Sequence, residues 1–184
     1  MNGDTPASKP APDHERQKNF EGAVFVNTTA LLRAATRMCR NRSEADDVVQ
    51  ETLLRAWKYW DGFEPGTNCR AWLFRIMINI IRRRRESLES VTEHISVDEP
   101  EMGNVLRFEP RLEFDEYGVL AALEKLPSEY RDTILLVLVE EFSYKETATM
   151  LNVPMGTVMS RLHRARQMMK KMLKPFPGET ATAN

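Results

Sequence analysis

One stretch near the C-terminal end constrains the fold more than any other. Between Ser143 and Lys174 the sequence reads as a short helix, a break and a longer helix. Ser143 is placed to cap the first helix, in which Tyr144, Thr147, Ala148 and Leu151 recur at i, i+3, i+4 and i+7 and share one face. Asn152-Val153-Pro154 stops it, because proline lacks an amide hydrogen and restricts the residue before it. A second helix starts at Met155 or Gly156, with Val158, Leu162, Ala165, Met169 and Met172 on its apolar side. This is the layout of a helix-turn-helix, whose second helix enters the major groove of DNA. At about 100° per residue, Thr157, Ser160, Arg164, Gln167 and Lys171 fall opposite the apolar side. Arginine reads guanine with two hydrogen bonds, and hydroxyls serve bases or phosphates.

The rest of the chain is read by periodicity. A helix is predicted over about Phe20 to Arg40, with Leu31, Leu32, Ala35 and Met38 inward. A second starts at Ser43, with Glu44 and Asp46 following as in a capping box, and buries Ala45, Val49, Leu53, Ala56 and Trp60. The Gly- and Pro-containing segment Asp61 to Asn68 is a loop. A third helix runs from Cys69 to about Glu86 on the stripe Leu73, Met77, Ile80 and Ile81. Periodicity then stops until Val119, Leu120 and Leu123 near Tyr117; Leu126-Pro127 marks a turn, with Pro127 suited to the first turn of the next helix. From Ile134 to Val139 the chain is apolar nearly all round, as in a central helix or a strand; helix is favoured because no strand partner is in sight. The expected fold is all-α: two small helical domains, residues 20–88 and 117–174, joined by a flexible acidic linker, 89–116, with disordered tails 1–19 and 175–184.

Charge follows this division. Arg70 to Glu86 holds six Arg and one Glu, Glu86 to Glu116 ten acids and two Arg, and Ser143 to Lys174 seven bases and one Glu. Two basic blocks around an acidic segment predict two contacts with a polyanion. Cys39 and Cys69 form no CxxC pair, and His14, His94 and His163 are scattered, so neither a metal site nor a disulfide framework is expected. No P-loop or nucleophile elbow occurs, so no catalytic residue and no cofactor are predicted. The polar N-terminus lacks a signal-peptide core and no run is long enough to span a bilayer; cytoplasmic residence and no membrane contact are expected.

Two further surfaces are candidates. On the third helix, Arg75, Asn79 and Arg82 recur at i, i+4 and i+7 away from the core stripe, with Phe63 to Asn68 as a loop beside them. A basic groove with aromatic and polar contacts suits an unstacked base on a single strand. On the second helix, Asp47, Gln50, Glu51 and Leu54 make an acidic face with an exposed leucine, suited to docking a protein. Trp57, Trp60 and Trp72 read as core or edge aromatics.

Taken together, Ala45-Asp46-Asp47-Val48-Val49-Gln50-Glu51-Thr52, Pro65 to Ile76 and Val153 to Arg166 resemble, in order, the second conserved region, the lead into the −10 reading helix and the −35 helix-turn-helix of extracytoplasmic-function sigma factors. The resemblance covers about Phe20 to Leu173. It implies a protein that binds core RNA polymerase, at the β′ coiled coil and the β flap, and directs transcription initiation in a stress or envelope response. It implies that Asp47, Gln50, Glu51 and Leu54 grip the β′ coiled coil. Asn79 would hold a flipped −10 base, with Phe63, Asn68, Arg75 and Arg82 around that site. Ser160, His163 and Arg164 would touch −35 bases, and Thr157 and Arg161 phosphates. Met159 departs from the pattern, in which Arg is common, and predicts an apolar contact or a lost one. An anti-sigma partner is also implied. Two rivals are a helix-turn-helix regulator acting without polymerase, which leaves the Asp47–Leu54 face unexplained, and a sigma-like decoy, which would have lost Arg161, Arg164, Arg166 and Lys171.

Overall fold

The computed structural model describes residues 13–89 and 116–173. The expected C-terminal tail, residues 1–12 of the N-terminal one and nearly all of the expected linker lie outside the described residues. Among the described residues the structure is helical throughout, with no strand.

Three helices build the first domain: α1 (Asp13–Met38), α2 (Arg42–Lys58) and α3 (Cys69–Glu89), with a 3-10 turn, Trp60–Gly62, after α2. α1 starts inside the expected tail, before Phe20. The cause is tertiary: Arg16 donates to Asp61 at 2.7 Å and to the Trp57 carbonyl at 2.9 Å, and lies over the Trp57 ring at 4.1 Å. That anchor is invisible in the polar local sequence. α2 is capped by Asn41 rather than Ser43. The Asn41 side chain accepts from the Glu44 amide and the Glu44 carboxylate accepts from the Arg40 amide, both at 2.9 Å. Asn caps as well as Ser, and only from Asn41 does Glu44 fall in the third helical position.

The three helices close on Val24, Leu31, Ala35, Met38, Ala45, Val48, Ala56, Leu73 and Met77, all essentially inaccessible. α3 places Leu73, Phe74, Met77, Ile78, Ile80 and Ile81 in the core. At about 2 kcal/mol for each such side chain, α3 is the element around which the molecule assembles. Four of these are the expected stripe; Phe74 lies beside it and meets Phe142.

That domain comprises α4 (Glu116–Glu124), α5 (Ser128–Ile134), a π-helical segment (Leu135–Val139), α6 (Tyr144–Leu151) and α7 (Met155–Met172). Pro127 stands just before α5 as its N-terminal flank, with φ −52° and ψ 148°. The apolar run is helical, as its lack of strand partners suggested, but widens to a π turn closed by the Glu140 amide on the Leu135 carbonyl at 2.9 Å. The turn buries Leu135 and Leu136 and leaves Leu138 and Val139 exposed. Glu141 follows in the left-handed region, φ 56°. In α6 the buried residues are Thr147 and Met150, and Tyr144 is exposed, so the inward face is rotated from the expected one. In α7, Val158, Leu162 and Ala165 are buried as expected, while Met172 at the far end is exposed.

Candidate functional site

The helix-turn-helix is built by local chemistry. Ser143 and Glu146 form a full capping box: the Ser143 hydroxyl accepts from the Glu146 amide at 3.2 Å, and the Glu146 carboxylate accepts from the Ser143 amide at 2.9 Å. α6 ends at Asn152, which takes the left-handed conformation, φ 55°, that asparagine tolerates. Pro154 then sets the start of α7. Ser160, His163 and Arg164 lie on the side of α7 away from Val158, Leu162 and Ala165, with Thr157 and Arg161 flanking the buried side, and all five are half-buried. Ser160 donates to the Thr157 carbonyl at 3.0 Å, which leaves its oxygen as an acceptor. Met159 is exposed beside them.

On α3, Arg75 is exposed and Asn79 and Arg82 are half-buried, together on the side opposite the core stripe. Arg82 lies 3.5 Å from Glu86, and its Nε makes no hydrogen bond. Phe63 and Asn68 stand elsewhere. Asn68 caps α3, accepting from the Ala71 amide at 3.1 Å, about three helical turns before Asn79. Its amide nitrogen also donates to Glu146 at 2.9 Å. Phe63 stacks on Trp60, rings 5.0 Å apart, and tilts against Trp72 at the same distance. The three tryptophans share this cluster with Phe20.

On α2, Asp47 and Gln50 are exposed and Leu54 is 70% exposed. Glu51 pairs with Arg55 at 2.7 Å and with Arg84 at 2.8 Å, tying α2 to α3. Burial would raise its carboxyl, but the Arg84 hydrogen bond and the two guanidinium charges outweigh it and hold the group below its ordinary value. Burial pushes the Cys39 thiol up to about 11 and raises Cys69 as well, so neither is a thiolate at neutral pH.

Sequence reasoning did not anticipate a fourth constellation between the domains. Arg70 at the start of α3 pairs with the Glu140 carboxylate and donates to the Glu140 carbonyl at 2.7 Å. Arg85 near the other end grips Asp132 with two hydrogen bonds, 2.5 and 3.2 Å, and donates to the Met38 carbonyl at 2.8 Å. Between them Phe74 meets Phe142 edge-on at 4.9 Å. Glu140 and Asp132 are 2% and 5% exposed, so these are buried acids each held by one arginine. The available signal was Phe74 and Arg85, about 20° apart around α3 and beside the edge of the core stripe.

Two helical domains, the second ending in a helix-turn-helix and each presenting bases on an outward helix face, define a two-domain DNA-binding protein of the sigma type. The chain belongs to the extracytoplasmic-function (ECF) RNA polymerase sigma factors. The family model for Sigma-70 region 2 matches residues 27–90, and that for Sigma-70 region 4 matches residues 118–169. The ECF RNA polymerase sigma factor EcfG of Rhodopseudomonas palustris is 39% identical over 155 residues, which cover 82% of each chain. SigW of Bacillus subtilis, another ECF RNA polymerase sigma factor, is 29% identical over 86% of this chain and 90% of its own. The sigma factor RpoE of Bartonella quintana, solved with the anti-sigma factor NepR, superposes with a TM-score of 0.65 at 28% identity, covering 84% of this chain and 96% of that one. CnrH, solved with the cytosolic domain of CnrY, superposes with a TM-score of 0.59 at 28% identity over 85% and 88%. No described helix is long and apolar enough to cross a membrane.

Proposed function

We propose that this chain gives RNA polymerase its promoter choice: it binds the core enzyme, reads a −10 and a −35 element, and catalyses nothing itself. The observation that carries the reading is the pair of outward basic faces, Arg75–Asn79–Arg82 on α3 and Thr157–Ser160–Arg161–His163–Arg164 on α7, on the two domains of a sigma factor. In this account Asn79 receives a base that has left the stack, whose unstacking costs a few kcal/mol and is offset by the contacts that hold it. The α7 face anchors the upstream duplex, with Thr157 and Arg161 on phosphates and the other three toward base edges. Asp47, Gln50 and Leu54 dock the β′ coiled coil, with Glu51 bracing that face through Arg84; the second domain meets the β flap. The relatives solved with NepR and CnrY support an anti-sigma factor as regulator. The cytoplasm, where polymerase works, is the site of action, and a stress or envelope response the setting.

The test is transcription in vitro with purified core polymerase on a promoter library. Wild type is expected to start transcripts at a narrow promoter set, and Asn79→Ala and Arg164→Ala to lower initiation at least tenfold, about 1.4 kcal/mol each. Core polymerase that stays silent with wild type rejects the reading.

A further inference from the structure

We propose that Met155 and Met159, at the outward start of α7, are specificity-determining residues that read the 5-methyl group of thymine in the −35 element through an apolar contact. The proposal rests on the sigma reading above and deepens it by naming the chemical group that one flank of α7 recognises.

Both side chains are large, apolar and open to solvent, Met155 at 50% and Met159 at 41% exposed. They stand at i and i+4, one turn apart on one flank of the helix. His163, half-buried, and Arg166, exposed, continue that flank along the next two turns. The packing of α7 does not need the methionines. The helix is seated through Val158, Leu162 and Ala165, and Met159 points about 100° around from Val158.

The charge around the pair selects a polyanion rather than a protein as its partner. α7 carries five Lys and Arg and no acid. Met155 also lines the groove between α6 and α7, with Lys145, Ala148 and Pro154. The apolar patch is therefore bordered by a base on each side, Lys145 on α6 and Arg166 on α7, as suits a surface lying between phosphates.

The major groove offers such a patch one apolar group. Base edges there show hydrogen-bond donors and acceptors, and thymine alone adds a methyl. The thioether of methionine is only a weak acceptor, so it gains little from the polar edges, but its flexible, polarisable chain fits a small apolar projection. The N-terminal turns of the second helix are the part of a helix-turn-helix that meets base edges. Ser160 stands next to Met159 in the same turn, so one turn presents a hydroxyl for a polar edge and a methionine for a methyl.

The test uses holoenzyme made from the full chain and core polymerase, on a promoter selected from the library. Each thymine of the −35 element, on either strand, is replaced in turn by uracil, which removes the methyl and keeps the hydrogen-bonding edges. Wild type is expected to lose promoter affinity about fourfold at one or two positions, the effect of burying about one methyl group. Met155→Gln/Met159→Gln is expected to bind thymine and uracil promoters alike, and Met159→Leu to keep the preference. A wild type indifferent to uracil at every position overturns the proposal, as does a −35 element with no A·T pair. So does a glutamine variant that retains the preference, even where it binds both promoters more weakly, because the methionines then act elsewhere. Wild type that starts no transcription with active core polymerase rejects the sigma reading and this proposal with it, whereas an active wild type blind to uracil rejects the proposal alone.

Discussion

Glu141 is held at φ 56°, where a side chain crowds its own carbonyl, and only the short polar Asn and Asp share glycine's tolerance. Asn152 sits at φ 55° in the same region and suits it; Glu141 does not. Its side chain is exposed, so nothing in packing would be lost with it. Glu141→Gly is therefore expected to stabilise the protein by about 1 kcal/mol. The check is the midpoint of urea unfolding, which should rise for Gly and stay put or fall for Ala; a gain with Ala equal to that with Gly would place the effect in the side chain rather than the backbone. The two φ-positive residues also differ in purpose. Asn152 ends α6 and aims α7, while Glu141 turns the chain at the point where Glu140 reaches Arg70.

At the scale of elements, α6 shows how a short helix is held. It has eight residues, too few to be stable alone, and depends on its capping box and on packing against α7 and α3. Glu146 is hydrogen-bonded by the Ser143 hydroxyl and amide and by Asn68, which together hold its carboxyl below the ordinary value. A depressed carboxyl stabilises the fold above its unfolded pKa and loses that contribution as pH falls through the folded value. Ser143→Ala should cost about 1 kcal/mol at neutral pH. Glu146→Gln should lose the acid-dependent part of this contribution, and urea titrations at neutral pH and below the carboxylate range would reveal it as a smaller pH difference than wild type shows.

The same helices show what a sequence makes legible. The helix-turn-helix and the Ser143 cap were readable because spacing and capping are local, and the Leu73–Ile81 stripe because it repeats within one helix. Asn41 was passed over because Ser43 offers an equally good cap two residues on. The inward face of α6 was misjudged because eight residues give two turns, and Tyr144 fits an apolar phase as well as Met150 does. Phe74, Arg70 and Arg85 escape a local reading because Arg85 and Arg70 bond residues 47 and 70 positions away and Phe74 meets Phe142, and no local rule pairs them. Arg75, Asn79 and Arg82 share the helix face that their spacing implies, while Phe63 and Asn68, read as part of a loop, are tied into an aromatic cluster and a cap.

For the whole molecule, the consequence of the domain contact is cooperative folding. The second domain is small, and small domains bury too little surface to be more than marginally stable alone. Against α3 it also buries Phe142, Asp132 and Glu140, and Phe74 of α3 packs on Phe142 in turn. Each domain therefore draws stability from the other while the contact holds. Wild type is expected to melt in a single calorimetric transition, with the calorimetric and van't Hoff enthalpies equal. In Arg70→Gln/Arg85→Gln the transition should divide, with the second domain melting first and the first domain, held by its own three-helix core, melting later. Hydrogen exchange assigns the parts: α5 to α7 should lose protection ahead of α1 and α2 in the variant and together with them in wild type. Two separate transitions already in wild type would mean that the contact between Arg70, Arg85 and the buried acids carries no coupling, and that the domains are neighbours only.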